Sequence, residues 1–170
     1  VEKNAILGGN TAYATGGLNA AETEVQKEKG IEDSVELFYE DTMEGGKQKN
    51  NPNLAEVLTK KAKESVAWLR EMGADLTDVG RMGGASASRA HRPTGGAAVG
   101  SHLVDVLKTN AGEAEVDVKL NTKAVDAIAS YSTKEVLGLR AESQGKDIYI
   151  KANQGVVLAA GGFGHNAEMV

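Results

Sequence analysis

The chain has 170 residues, a net charge of -5 and no cysteine. This length suits one domain with a modest core, and an acidic chain without a Lys/Arg run does not fit a nucleic-acid-binding surface. The lack of cysteine excludes disulfides, thiolate metal ligands and a cysteine nucleophile, and no apolar run approaches the roughly 18 residues of a membrane span.

A glycine-rich, uncharged segment opens the chain. Residues 1–3 (VEK) are predicted to end a strand, and residues 8–21 (GGNTAYATGGLNAA) follow as a loop. The loop lacks the Lys and Ser/Thr of a P-loop. Its glycines either let backbone N–H groups face a phosphate or carboxylate, or make a flexible surface loop. Glu2 is either the ribose-binding acid of a dinucleotide fold or an ordinary surface residue.

Helices are predicted next. The first begins at Asp33 or Ser34, with Glu36 completing a capping box, and ends at the Gly45-Gly46 pair. The second follows the sequence NNPN and ends near Gly73. Its inner face is predicted from apolar residues at helical spacing, namely Leu54, Leu58, Ala62, Ser65, Leu69 and Met72.

A long irregular stretch, residues 75–100, precedes a third helix at about 101–109. Loops of this length in a compact domain are usually functional or disordered, and its low charge favours function. It contains His91 between Arg89 and Arg92. This cationic cluster is expected either to hold an anion or a cofactor phosphate, or to be structural and bond loop carbonyls. No metal site is expected, because metal-ligand spacing is lacking among His91, His102 and His165.

The hydrophobic pattern changes to period two in the last part of the chain. Strands are predicted at 116–120, 125–130, 136–142 and 147–152. The apolar run 155–162 (GVVLAAGG) is predicted to be a fully buried strand. Its glycines lie either at the ligand-binding edge of an open α/β sheet or in a tight turn. Helices followed by a small meander indicate an α/β fold class.

Long strings in the sequence resemble a known family, in unbroken order along essentially the whole chain. MGADLTDVGRMGGAS, HRPTGGA, GGNT…GGLNAA and VVLAAGGFG are similar to the flavoprotein of soluble fumarate reductases of the flavocytochrome c type. Reductases of urocanate and similar conjugated acids share much of this pattern. The resemblance implies part of a glutathione-reductase-type FAD-binding domain, with helices, a small antiparallel β meander and the first βα unit missing.

The resemblance implies an FAD site, position by position. Glu2 is expected at the ribose, and Gly9, Asn10 and Thr11 along the pyrophosphate and ribitol. Thr15, Gly16 and Gly17 are expected beneath the isoalloxazine. Ala124 is expected at the adenine, and Ala160, Gly161 and Gly162 at the second turn that contacts FAD. The Gly16 backbone is also expected to approach the substrate carboxylate, and Met82 to form an apolar wall of the substrate site.

The family's mechanism is hydride transfer from reduced flavin N5 to one alkene carbon, with an arginine protonating the other. The resemblance places that arginine and the carboxylate-clamping side chains beyond Val170. No residue of this chain is therefore assigned to catalysis, and FAD supplies the redox chemistry.

Residues 1–170 are expected to be a partial FAD-binding domain, without the capping domain and the C-terminal part of the flavin domain. A parallel sheet that lacks its first strand exposes an edge. We therefore expect the isolated chain to bind FAD weakly or not at all, to lack reductase activity and to pair its edges in a homodimer. The electron donor, a haem or flavin module, is expected elsewhere, and relatives occur in both periplasm and cytoplasm.

Three functions are open at this stage. The first is reduction of fumarate to succinate by an FAD-dependent enzyme. The second keeps the flavoprotein and changes the substrate to urocanate or another unsaturated carboxylic acid. The third is a non-catalytic structural piece without a cofactor.

Overall fold

The computed structural model describes residues 1–164 and 166–170. They form two compact units, the first made of Val1–Asn10 and Val116–Val170, the second of Thr11–Glu115. In the described part of the chain, no helix is both long and apolar enough to cross a membrane. The elements in chain order are a 3-10 helix (Gly9–Tyr13), β1 (Leu18–Asn19), α1 (Glu24–Glu28), α2 (Val35–Gly45), α3 (Pro52–Glu71), β2 (Asp78–Gly80), β3 (Ala90–Arg92), α4 (Val99–Glu113), β4 (Thr122–Ala129), β5 (Val136–Ser143) and β6 (Lys146–Lys151).

The start of α2 is where the sequence predicts it, but the capping chemistry differs. The Ser34 hydroxyl accepts the Leu37 N–H at 3.0 Å and caps the helix. The predicted box with Asp33 and Glu36 is wrong, because the Asp33 carboxylate bonds Arg89 instead. A complete capping box does occur one helix earlier, at α1.

The buried face of α3 differs from the predicted one. Leu54 and Leu58 are 69% and 55% exposed, and Ser65 is exposed as well. The helix carries apolar residues on two neighbouring faces, and the one that packs has smaller side chains, which let helices approach closely. That buried face consists of Ala55, Thr59, Ala62, Val66 and Leu69.

The second unit combines these helices with a small antiparallel sheet of order β1-β3-β2. Two of its strands lie in the stretch 75–100, so the prediction of an irregular loop there is wrong in part. Strands of two or three residues show no alternation in sequence, and β3 forms because it pairs on both sides. The hydrophobic core beside it combines four alanines with larger apolar side chains, namely Ala20, Ala21, Phe38, Ala62, Val66, Leu69, Ala74, Leu76, Val99 and Leu103.

The first unit contains the predicted antiparallel meander, with strand order β4-β5-β6. Two predicted strands are absent from the described residues. Residues 116–120 are not a strand, although Lys119 accepts a backbone hydrogen bond from Glu2 at 2.9 Å. Residues 155–162 are not a buried strand either, since Leu158 is 82% exposed. An apolar run becomes a buried strand only where neighbours pair with both its edges, and the described residues provide none.

Candidate functional site

A glycine strip lies directly against strand β3 in the second unit. Leu18, which follows Gly16 and Gly17, pairs with His91 of β3. A Cβ atom added at Gly17 would lie 2.9 Å from the Ala90 Cβ and 3.1 Å from the Arg92 Cγ. These distances leave no room for a side chain. Close packing of backbone on β3 therefore explains the second glycine of the pair.

The first glycine of the pair faces a methionine. The Cβ position of Gly16 lies 3.6 Å from the Met82 Cε. Met82 is 40% exposed and begins a tight turn, in which the Ala85 N–H bonds the Met82 carbonyl at 3.1 Å. The structure thus brings together the two residues to which the resemblance gives a substrate contact. A bare backbone segment beside a thioether offers polar N–H and C=O groups next to an apolar surface.

The preceding backbone, Thr11 to Ala14, packs on the first turn of α4. The Gly100 N–H donates to the Ala14 carbonyl at 2.9 Å. A Cβ at Gly100 would overlap the Thr11 carbonyl oxygen and lie 2.9 Å from the Ala14 nitrogen. The Thr11 and Thr15 side chains are exposed. Sequence reasoning missed Gly100 as a support of this strip, although the string GGAAVG was its signal.

Two other predicted FAD positions lie on neighbouring segments of the first unit. The Glu2 carbonyl accepts the Thr122 N–H at 2.8 Å, two residues before Ala124 on β4. Ala124 is exposed and lies at an irregularity in the pairing with β5. The Glu2 carboxylate accepts the Asn4 N–H at 2.7 Å. The predicted ribose-binding acid, Glu2, therefore pairs by its backbone with the start of the strand that carries the predicted adenine position, Ala124.

The remaining predicted FAD positions are exposed. Gly9 and Asn10 are the first two residues of the 3-10 helix. The second flavin turn, Ala160 to Gly162, lies outside regular secondary structure.

Arg89 belongs to a buried ion network and does not face a ligand. It donates two hydrogen bonds to Asp33, at 3.0 and 2.8 Å, and forms an ion pair with Asp41 at 2.8 Å. The Arg89 side chain is 2% exposed and that of Asp33 is fully buried. Its guanidinium also lies 4.8 Å from the centroid of the Phe38 ring. Paired, fully desolvated charges of this kind hold segments together.

His91 is a second buried, internally satisfied member of the cationic cluster. Its Nδ1 lies 2.8 Å from the Arg89 carbonyl and 3.2 Å from the Leu18 carbonyl. Two acceptors there assign the proton to Nδ1, so Nε2 accepts from the Thr23 hydroxyl at 2.8 Å. Burial lowers the pKa of His91 below its ordinary value. Arg89 and His91 therefore follow the structural alternative rather than the anion-binding one.

Arg92 differs from its two neighbours. Its aliphatic stem packs on Gly17, and its guanidinium packs against Gly80. Its buried Nε has no hydrogen-bond partner among the residues that the structure describes. No three His, Cys, Asp or Glu side chains converge as metal ligands would within residues 1–164 and 166–170.

The fold and these backbone strips define a flavoprotein nucleotide-binding domain. The model of the FAD binding domain family matches residues 1–170. The chain belongs to this family, whose cofactor is FAD. The residues present suit such a group, because the Gly16–Gly17 strip is bare of side chains and the Thr11–Ala14 strip is held against α4.

Two curated relatives with named activities are similar to nearly the whole chain. The chain is 48% identical over 170 residues to a fumarate reductase (cytochrome) of Shewanella frigidimarina, which covers 100% of this chain and 30% of that protein. It is 36% identical over 174 residues to a urocanate reductase of Eggerthella lenta, which covers 99% and 28%. The chain thus spans less than a third of the length of these two relatives.

Solved structures agree on the fold. The open conformation of a flavocytochrome c3 fumarate reductase superposes with a TM-score of 0.84 at 36% identity, covering 91% of this chain and 27% of that one. A 3-ketosteroid-delta4-(5alpha)-dehydrogenase from Rhodococcus jostii also gives a TM-score of 0.84, at 24% identity. The second likeness shows the fold alone. The predicted α/β FAD-binding class and the flavoprotein family are confirmed.

Proposed function

We propose that this chain is part of an FAD-dependent reductase that converts fumarate to succinate. The observation that carries the proposal is the Met82 side chain beside Gly16, with its Cε 3.6 Å from the point that a Cβ of residue 16 would occupy. A carboxylate at the Gly16 backbone would place the hydrocarbon part of a small unsaturated acid beside the thioether. The 48% identity to a fumarate reductase supports the same substrate.

The chain's own residues would bind and orient the cofactor. FAD, when bound and reduced by the electron donor, would supply a hydride from N5. The ring would lie along the backbone of Thr15 to Gly17, where Gly16 and Gly17 place no side chain between ligand and backbone. Met82 would exclude water from one side of the substrate. The other positions proposed to hold FAD are Glu2, Gly9, Asn10, Thr11, Ala124, Ala160, Gly161 and Gly162.

The domain assignment and the electron donor belong to the same proposal. Residues 1–170 would be one part of the FAD-binding domain, and electrons would come from a haem or flavin module outside it. A haem module fits the relative named as a cytochrome.

Reduction of urocanate is the second candidate. The urocanate reductase relative aligns with nearly the whole chain, and an apolar wall such as Met82 suits either acid. Discrimination between the two acids would then depend on residues that contact the second polar group of the substrate.

The test uses the full-length protein that contains this chain. Purified protein is assayed with reduced viologen dye and either fumarate or urocanate, and its flavin absorption is recorded. Faster dye oxidation with fumarate supports the proposal, and faster oxidation with urocanate supports the second candidate. Dye oxidation with neither acid refutes both, and an additional lack of bound flavin would favour the non-catalytic alternative.

A further inference from the structure

The turn that carries Met82 is tied to helix α2 by one carboxylate. We define the Met82 loop as residues 81–88. The Ser86 N–H donates to Asp41 Oδ2 at 2.8 Å, and the Ser86 hydroxyl donates to Asp41 Oδ1 at 2.6 Å. Asp41 and Ser86 are 45 residues apart in sequence. Both oxygens of one carboxylate therefore hold the same loop residue, by backbone and by side chain.

Asp41 is itself held in place from behind. Its Oδ2 forms an ion pair with Arg89 at 2.8 Å, and Arg89 is fixed by two hydrogen bonds to the buried Asp33. Burial opposes ionisation of Asp41, but hydrogen bonds from Ser86 and the Arg89 charge outweigh it and lower its pKa. The carboxylate is therefore charged and is bonded on one side to Arg89 and on the other to Ser86.

The other hydrogen bonds in the first part of the Met82 loop are internal, such as that from the Ala85 N–H to the Met82 carbonyl, while Ala87 near its end is buried. The Arg81 Nε donates to the Ala85 carbonyl at 2.7 Å, a contact within the loop. Among the described residues other than their chain neighbours, no atom lies within 4 Å of the Cβ positions of Gly83 and Gly84. Glycines without packed neighbours leave a loop many conformations. The second tie to the body is at Ser88, whose carbonyl accepts from Gln26 Nε2 at 2.9 Å.

We propose that Asp41 is a positioning residue of the substrate site. Through Ser86 it fixes the Met82 loop so that the Met82 thioether lies against Gly16. The proposal rests on the proposed function of the Gly16–Met82 pair. Asp41 would touch neither FAD nor the unsaturated acid, and it would act on substrate binding only through Met82.

The main experiment compares three variants of the full-length holoenzyme. Ser86→Ala removes one tie without disturbing the ion network, and Asp41→Asn weakens both. Glu40→Gln is the matched control, since Glu40 is an exposed carboxylate of the same helix whose side chain has no hydrogen bond within the described residues. We expect Ser86→Ala to raise KM for fumarate about fivefold and to leave kcat and FAD content unchanged, because one uniform binding interaction is weakened. Glu40→Gln should change none of these values.

A double-mutant cycle separates positioning from general structural damage. Met82→Ala is combined with Ser86→Ala and with Asp41→Asn. If Asp41 acts through Met82, the fivefold effect on KM should nearly vanish in the Met82→Ala background. Full multiplication of the effects on KM overturns the proposal. So does an unchanged KM in Ser86→Ala.

Hydrogen exchange of the backbone amides of residues 82–86 reads the loop without turnover. Ser86→Ala should accelerate exchange there and leave α3 unchanged. Equal exchange rates in wild type and Ser86→Ala overturn the proposal. If the wild-type enzyme reduces neither fumarate nor urocanate, the proposed function fails, and hydrogen exchange then decides separately whether Asp41 fixes the loop.

Discussion

Replacing Gly100 by alanine sets two physical effects against each other. Gly100 lies in the first turn of α4, where alanine is normally the better helix former by about 1 kcal/mol. The added Cβ, however, would overlap the Thr11 carbonyl oxygen and lie 2.9 Å from the Ala14 carbonyl. Because the obstacle is backbone, it cannot move aside by a change of rotamer.

The expected magnitude follows from those contacts. Forcing a methyl group into a fully packed site costs about 1–3 kcal/mol. Moving α4 away also stretches the bond between the Gly100 N–H and the Ala14 carbonyl, which contributes about 0.5–1.5 kcal/mol. The gain in helix propensity offsets about 1 kcal/mol of this. We expect Gly100→Ala to lower the free energy of unfolding by about 0.5–3.5 kcal/mol.

The assay is urea unfolding followed by far-ultraviolet circular dichroism. Gly112→Ala in the same helix is the matched control, since among the described residues no atom lies within 4 Å of its Cβ position apart from its chain neighbours and the backbone of its own helix. It should keep or raise stability by up to about 1 kcal/mol. If Gly100→Ala is as stable as wild type while Gly112→Ala behaves as expected, close packing of α4 on the Thr11–Ala14 strip is refuted.

Three further predictions concern stability. The pKa of His91 is lowered by burial, so below about pH 6.5 the unfolded chain binds more protons at this residue than the folded chain does. The free energy of unfolding therefore decreases as the pH is lowered from about 6.5 to the pKa of the folded state. A free energy of unfolding that does not change with pH in urea titrations would contradict this. Arg89→Met leaves buried Asp33 uncompensated and should cost about 3–5 kcal/mol in thermal unfolding, whereas Lys61→Met at an exposed ion pair should cost under about 1 kcal/mol. Asn51→Ala removes the cap of α3 and should cost about 1 kcal/mol, and an unchanged melting temperature would argue against that cap.

Local signals in the sequence predict several elements well. Ser34 starts α2 as predicted, because capping depends on residues within one turn of each other. Helix α3 begins at Pro52 with Asn51 as its cap, so it starts within the NNPN sequence and not after it as predicted. The β4–β6 meander follows from period-two alternation in short, neighbouring segments. The short strand β3 carries no such signal, since its three residues are ordered by partners on both sides.

In the candidate site, too, the sequence shows the individual residues but not the contacts between them. The glycine pair at 16–17 and the methionine at 82 are visible in the sequence, where the resemblance to flavoproteins gives them roles. Their contact joins residues more than sixty positions apart, and no periodicity predicts it. The same holds for Asp41, which is an ordinary helix carboxylate until the fold places Ser86 and Arg89 against it.

The sequence by itself determined the family, the start of α2 and the bare glycine strip, because these depend on residue type and on neighbours along the chain. The tertiary structure decided which face of α3 is buried, that Arg89 and His91 are internal, and that Gly100 must be a glycine. The physical reason is that burial and close approach depend on distant segments. The role of a charged side chain such as Arg89, or of a glycine such as Gly100, therefore depends on the segments that pack against it.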